Sequence, residues 1–315
     1  MNNISSKKGC KVVCVIVTYN RLNLLKEAIA AVKAQTYPIQ HLYIIDNCSD
    51  DGTEGYLSTF KDDSSMTIIR MDHNTGGAGG YAEGIKYAAK AEADWIWVMD
   101  DDTIPQPDAL ERLIPYTAID NVGFLCSKVL WTDGQIHKMN IPDILEKQEK
   151  EKNDIFKDSA LNTKECVAIR SASFVSLLLR SSIPWEIGLP YKEFFIWGDD
   201  AEYTARMYKA GYKALMINDS IAIHKTQMNY EGSIYNVPAS AAWKFYYAER
   251  NASFLRRQGK NKVYFFFSQL NAIRRHIRRI KKRHLPQNEE KSLLTACKKG
   301  LWDGLRFNPQ IEHLK

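Results

Sequence analysis

Short apolar runs recur along the first hundred positions, each followed by a polar cluster and then by residues at helical spacing. Lys11 to Val17, rich in Val, Cys and Ile, predicts a strand, and Thr18-Tyr19-Asn20-Arg21 a turn. Leu22 to Ala34 places Leu25, Ile29 and Val32 on one helix face, with Pro38 beyond its end. His41 to Ile45 predicts a second strand, which ends at Asp46-Asn47-Cys48-Ser49-Asp50-Asp51-Gly52-Thr53. A short helix over Glu54 to Phe60, a strand over Met66 to Met71 and a glycine-rich turn over Gly76 to Gly80 follow. Tyr81 to Ala91 then predicts a helix and Trp95 to Met99 a fourth strand. Strands that alternate with helices predict an α/β fold with a mostly parallel central sheet and helices on both faces. Ligands bind such sheets beyond the carboxyl ends of the strands. Thr18, Asp46, the glycine run and Asp100-Asp101-Asp102 all fall at such ends, so four polar clusters converge on one crevice.

The second half is less regular. Val122 to Val129 and Val167 to Leu179 read as strands, Glu146 to Lys157 as a charged loop or exposed helix, and Pro184 to Pro190 as a connector. Phe194-Phe195-Ile196-Trp197 leads into Gly198-Asp199-Asp200-Ala201-Glu202 and a helix from Tyr203 to Ala210, which Gly211 closes. Ala214 to Ile217 and Ile221 to Ile223 read as two short strands, the second ending at His224. Further on, Tyr264-Phe265-Phe266-Phe267 precedes a helix with Ile273, Ile277 and Ile280 on one face and arginines and lysines around it. That amphipathic basic stretch suits an anionic membrane surface, with the isoleucines as its apolar stripe.

Charge sharpens the division. Residues 239–315 carry 18 Lys and Arg against 5 Asp and Glu, a net +13, whereas residues 1–238 carry 25 against 32, a net −7. The expectation is a catalytic body over 1–238 and a basic, aromatic-rich helical region over 239–315 that serves the acceptor or a membrane. A nucleic-acid contact uses the same charges, but the isoleucine stripe adds nothing to phosphate-backbone binding, so no nucleic-acid partner is expected. No apolar run approaches the roughly 20 residues of a membrane helix, and the polar stretch Met1 to Gly9 lacks a secretory apolar core. Cytoplasmic residence, peripheral at the inner face of the plasma membrane, is the resulting expectation. The six cysteines are scattered and show no zinc-type spacing.

Three consecutive aspartates after Trp95 to Met99 gain nothing from an apolar core and make sense beside a divalent cation. Asp100 and Asp102 are then metal ligands whose ion holds a diphosphate; a solvated aspartate-rich turn is the bland alternative. Asn74-Thr75-Gly76-Gly77-Ala78-Gly79-Gly80 permits close backbone approach, with amides at a helix start for phosphate or sugar oxygens. It lacks the Lys-Ser/Thr of a Walker loop, and the first strand's turn lacks the glycines of a dinucleotide fingerprint. Asp199-Asp200 opens a helix and is either a cap or a general base near a metal-bound substrate. His224 is compatible with completing the metal site.

In this order the segments Val15-Ile16-Val17-Thr18-Tyr19-Asn20-Arg21, Ile45 to Thr53, the triple aspartate, Trp197-Gly198-Asp199-Asp200-Ala201-Glu202-Tyr203 and His224 resemble the inverting glycosyltransferases of family 2, which have the GT-A fold. The likeness spans roughly residues 10–230, and Asn74 to Gly80 is similar to the branch holding galactofuranosyltransferases, with rhamnosyltransferases close by. The resemblance implies that Thr18, Tyr19, Asp46 and Asn47 meet the base and ribose of a nucleotide-sugar donor. Gly76, Gly77 and Asp101 join the donor site. Asp100, Asp102 and His224 hold Mn²⁺ or Mg²⁺. Asp200 is the base, with Asp199 competing for the role. UDP-galactofuranose is the expected donor, dTDP-rhamnose the alternative, and the acceptor is a growing glycan or glycolipid. A nucleotidyltransferase and a non-catalytic glycan- or nucleotide-binding protein are the rival classes.

Overall fold

The computed structural model describes residues 9–146, 165–232, 239–258 and 261–315. The expected charged loop or helix from Glu146 to Lys157 lies almost wholly outside them. The strands are β1 Val12–Thr18, β2 His41–Asp46, β3 Met66–Arg70, β4 Trp95–Asp100, β5 Thr103–Pro105, β6 Val122–Leu130, β7 Asp143–Ile144, β8 Cys166–Ser171, β9 Leu177–Arg180 and β10 Lys213–His224. The helices are α1 Leu22–Lys33, α2 Thr53–Ser58, α3 Gly76–Ala89, α4 Ala109–Leu113, α5 Ile183–Ile187, α6 Asp199–Lys209, α7 Lys244–Arg257, α8 Lys262–Lys281 and α9 Gln287–Asp303.

The described strands form one sheet in the order β3-β2-β1-β4-β9-β6-β10-β8-β7, with β5 paired to β10. β3, β2, β1 and β4 run parallel, as do β6 and β10, while β9 is inserted antiparallel between β4 and β6. β1 is buried along its whole length, which is why it reads as a continuous apolar run rather than an alternating one. Val12, Cys14 and Ile16 pack with Leu25, Ile29 and Val32 of α1 on one face. Val13, Val15 and Val17 pack with Tyr81, Ile85 and Ala88 of α3 on the other.

Several expectations change. The glycine run is not a turn: it forms the first turns of α3. A Cβ on Gly80 or Gly84 would lie 2.5 or 2.4 Å from Val17 or Val15 Cγ1, so these glycines let the helix sit directly on β1. The apolar stretch Val167 to Leu179 is two strands, broken where Ser176 turns to a φ of +53°. The two short strands expected before His224 are one, β10, with a register shift between Ile217 and Ile221. The connector after Ser182 holds α5, whose early proline costs no helical hydrogen bond. The helix expected from Tyr203 begins at Asp199.

The basic region does not stand apart from the sheet. From α7, the Asn251 amide donates to the carbonyls of Phe194 and Trp197 (3.0 and 2.9 Å), and near the C-terminus Glu312 accepts from Leu189 N–H and pairs with Lys86 and Lys192. Of the isoleucine stripe of α8 only Ile280 turns fully inward, buried with Phe245, Leu293 and Cys297, while Ile273 and Ile277 are half-buried.

Candidate active site

Register places the acidic residues together. Thr18 pairs with Asp46, and Val17 with Asp100, at the carboxyl ends of three neighbouring parallel strands. β5 then doubles back so that Thr103 opposes His224, and Lys225 N–H donates to Asp102 O (2.8 Å). That hairpin-like return brings the end of β10 against the triple aspartate. One ligand atom each from Asp100, Asp102 and His224 lies within 4.8 Å of the others.

The three aspartates diverge. Asp100 projects into the crevice, and its Oδ1 accepts from the Tyr81 hydroxyl (2.6 Å). Asp101 turns inward, where Oδ2 accepts from Thr18 Oγ1 (2.7 Å) and Tyr19 N–H (3.2 Å) and Oδ1 from Arg21 (3.3 Å). Asp102 takes a short bond from Arg21, and its Oδ1 accepts from His224 Nε2 (2.9 Å). On the other side of the imidazole, Nδ1 donates to Asn140 Oδ1 (2.8 Å), whose amide donates in turn to Ser173 Oγ (2.7 Å).

Burial and mutual repulsion raise Asp100, with Asp102 as the nearest like charge. Burial likewise lifts Asp101 to about 7, against the pull of Arg21. For Asp102, burial is outweighed by the His224 hydrogen bond and charge, and its pKa is lowered. Burial alone would lower His224, but Asp102 and Asp100 reverse the sign and raise it. The Arg21 guanidinium is held charged by the same trio of carboxylates. Two carboxylates and one imidazole within ligand distance of one another fit a small divalent cation such as Mn²⁺ or Mg²⁺. Asn140 supplies what a histidine ligand requires, an acceptor on the far nitrogen that fixes the ring, and the Nε2 proton now shared with Asp102 would have to leave for Nε2 to bind an ion.

The second acidic pair comes from a constrained loop. Phe195, Trp197 and Gly198 have φ of +66°, +65° and +90°, left-handed values that two aromatic residues adopt only when their surroundings impose them. Asn251 of α7 clamps the loop through the carbonyls of Phe194, Ile196 and Trp197, and Gly76 leaves room for Phe195 O, which a Cβ would approach to 2.0 Å. The loop delivers Asp199 and Asp200 to the start of α6. Asp199 is buried, and burial with the Asp200 and Asp100 charges holds it well above the usual carboxylate range. Asp200 is half-buried, and burial, eased by backbone N–H groups, leaves it at about 6.

A cavity of about 1030 Å³ joins these groups: Gly77, Asp100, Asp102, His224, Asp199 and Asp200 all line it. Thr18, Tyr19, Asp46, Asn47, Gly76 and Asp101 do not. Thr18 and Asp101 satisfy each other beneath its floor, and Tyr19 is 42% exposed at the turn. Asp46 pairs with Arg70 and accepts from Ser49 N–H, while Asn47 ties Thr75 to the Gly76 carbonyl. Gly77 faces open space, so within the run Gly76 to Gly80 it is the glycine with room for a ligand.

Sequence reasoning gave no role to Arg21, Tyr81, Asn140, Lys244 or Asn251. Lys244 lines the same cavity, within 5.7–5.8 Å of the Trp197 and Trp243 ring centres. Burial and Arg21 lower its pKa while Asp100 and Asp102 raise it, which places the ammonium in the field of the metal-ligating set. Arg21 closes the segment Val15 to Arg21 and Tyr81 follows the glycine run; nothing local marked the other three.

A family model described as Glycosyl transferase family 2 matches residues 13–178. The galactofuranosyltransferase GlfT1 of Mycolicibacterium smegmatis is 27% identical over 206 residues, 64% of this chain and 67% of that protein. The O-antigen chain rhamnosyltransferase RfbN of Salmonella typhimurium is 30% identical over 220 residues, 68% of this chain and 66% of its own. Among solved structures, GalNAc-T7 with UDP, GalNAc and Mn²⁺ superposes with a TM-score of 0.58 at 16% identity, over 79% of this chain and 51% of that one. S. aureus TarS does so with a TM-score of 0.54 at 14% identity, over 94% and 54%. At those identities the likeness is one of fold, and this chain spans about half the length of either structure.

Proposed function

The chain belongs to glycosyl transferase family 2, and we propose that it moves a hexosyl unit from a nucleotide-sugar to a hydroxyl of a growing glycan, with inversion at the anomeric carbon. It is a glycosyltransferase with a GT-A-like fold, which leaves the nucleotidyltransferase and non-catalytic readings without support. The observation that carries the mechanism is the single cavity onto which Asp100, Asp102 and His224 face together with Asp200.

Asp200 is the base. It takes the proton of the acceptor hydroxyl, and the oxygen attacks the anomeric carbon from the face opposite the leaving diphosphate. Its pKa of about 6 suits a group that must be ionised near neutrality and still hold a proton in the transition state. Asp199 is more deeply buried, and burial with the Asp200 charge favours its neutral form, so it is the weaker candidate. Asp100, Asp102 and His224 would hold a divalent ion, which would supply Lewis-acid stabilisation to a departing diphosphate. Tyr81 fixes Asp100 and Asn140 fixes His224, so both ligands are preorganised. Lys244 and Arg21 add positive charge toward the same leaving group, where fixed charges act without reorganising.

Thr18, Tyr19, Asp46 and Asn47 shape the base and ribose side of the donor site. Asp46, Asn47, Gly76 and Asp101 act by holding the loops, and Gly77 by approaching the donor. UDP-galactofuranose is the proposed donor, with dTDP-rhamnose second, in keeping with the relatives' names. The acceptor is a cell-surface glycan or its lipid-linked precursor, and residues 239–315 attach the enzyme to the inner face of an anionic membrane. No helix among the described residues is long and apolar enough to cross one, so the attachment proposed is peripheral.

A panel of UDP-, dTDP- and GDP-sugars with Mn²⁺ and glycolipid acceptors, scored by diphosphate release, tests the reading. Release with UDP-galactofuranose that requires an acceptor is expected. Release with dTDP-rhamnose alone moves the donor assignment, and acceptor-independent behaviour throughout overturns sugar transfer.

A further inference from the structure

Ile280 of α8 turns inward, and Ile273 and Ile277 lie half-buried at the edge of an outer face of other composition. Val263, Tyr264, Phe266 and Phe267 are 59–63% exposed in its first two turns. On the same side, in the turns that follow, Arg274, Arg275, Arg278, Lys281 and Lys282 are exposed. The inner side is locked to α7: Ala272 is fully buried, His276 pairs with Glu249 (3.0 Å), and Gln269 accepts from Arg256 (3.2 Å). The orientation is therefore fixed by packing, and the outer face is segregated along the axis, aromatic first and basic second. At 1.5 Å per residue the helix is about 30 Å long. A groove of about 760 Å³ lies where the two halves meet, lined by Tyr264, Phe267, Arg274, Arg275 and Arg278.

We propose that this outer face of α8 docks on an anionic phospholipid bilayer, with the aromatics at the boundary of headgroups and acyl chains and the arginines on lipid phosphates. The inference rests on the attachment reading above and identifies the surface responsible, an aromatic and basic face with the half-buried Ile273 and Ile277 at its edge. Charge and apolarity must both be matched by the partner. A nucleic acid would pair with the arginines and leave the aromatic turns in water. A second copy would cover the aromatics but set one region of net +13 against another. A lipid surface offers an apolar boundary and negative phosphates at adjacent depths, in the order the helix presents them.

Flotation of the full chain with vesicles, without donor or acceptor, tests the docking independently of sugar transfer. Binding to phosphatidylglycerol-containing vesicles and not to pure phosphatidylcholine is expected. Arg274→Gln with Arg275→Gln and Arg278→Gln should lower the partition about a hundredfold at low salt. Phe266→Ser with Phe267→Ser should lower it roughly tenfold or more, with the loss persisting at high salt. All five positions are exposed, so neither set disturbs the core. Equal binding to neutral vesicles, or either variant set floating like the parent, overturns the proposal. So does a concentration-dependent dimer without lipid that the Phe266 and Phe267 changes abolish.

Discussion

Replacing Asp200 by Asn keeps the shape of the side chain and removes its ability to take a proton. Loss of a positioned base costs about 10²–10⁴-fold in rate, or about 3–5 kcal/mol of transition-state stabilisation. The structure adds a pH signature. Burial leaves Asp200 at about 6. The base works when ionised, so activity rises with pH through that value and levels above it. About nine in ten molecules carry the charged form at pH 7 and about one in ten at pH 5. The parent enzyme should therefore lose roughly tenfold in kcat/KM over that interval. An unshifted aspartate near 3.9 would lose almost nothing. The assay is diphosphate release across pH 5 to 8, run on the parent, Asp200→Asn and Asp199→Asn. Asp199→Asn should keep the rising limb, while Asp200→Asn should lose both the limb and the bulk of the rate. A flat parent profile, or a limb that disappears with Asp199 and survives in Asp200→Asn, would refute the assignment.

Three further outcomes follow from particular contacts. Asn140→Ala removes the acceptor on His224 Nδ1 and should weaken Mn²⁺ binding about 10–100-fold by calorimetry; unchanged affinity would leave Asn140 without a positioning role. Lys244→Met should weaken donor binding roughly tenfold or more while Mn²⁺ affinity holds or rises, and a loss of both would contradict its role at the leaving group. Gly76→Ala sets a Cβ 2.0 Å from Phe195 O at a φ of +71° and should cost about 1–3 kcal/mol in denaturant unfolding, whereas Gly77→Ala meets nothing and should fold normally with weakened donor binding. A stable Gly76→Ala would contradict the packing argument.

The first half of the fold was legible because each element carried its own signal. β1 to β4 are short apolar runs closed by polar turns, and α1 shows a clean helical face, so their limits agree with the sequence to within a residue or two. Where contacts distant in the chain decide, the sequence misled. β8 and β9 read as one run because both are apolar, yet one pairs with β10 and the other is inserted between β4 and β6. Asn218-Asp219-Ser220 looked like a break, but a register shift carries β10 through it. The glycines signalled close approach correctly and its object incorrectly: Gly80 and Gly84 approach β1, not a ligand. A periodic stripe says that a face is buried, not against what, so the isoleucines of α8 could not be told from a lipid-facing stripe. Within the site, Asp100, Asp102, His224 and Asp200 stood out by residue type at strand ends and a helix start. Asn140 and Lys244 carry no such mark, since their roles arise only when segments many residues apart meet.

The central claim is that Asp100, Asp102 and His224 grip one divalent ion on which donor binding and transfer depend. Calorimetric titration of chelator-treated protein with Mn²⁺, followed by donor binding and turnover, tests it most directly. The account predicts one site per chain, its loss in Asp102→Ala and in His224→Ala, and turnover that returns only with the ion. Chelator-treated protein that binds and transfers the sugar as well as the loaded form would contradict it.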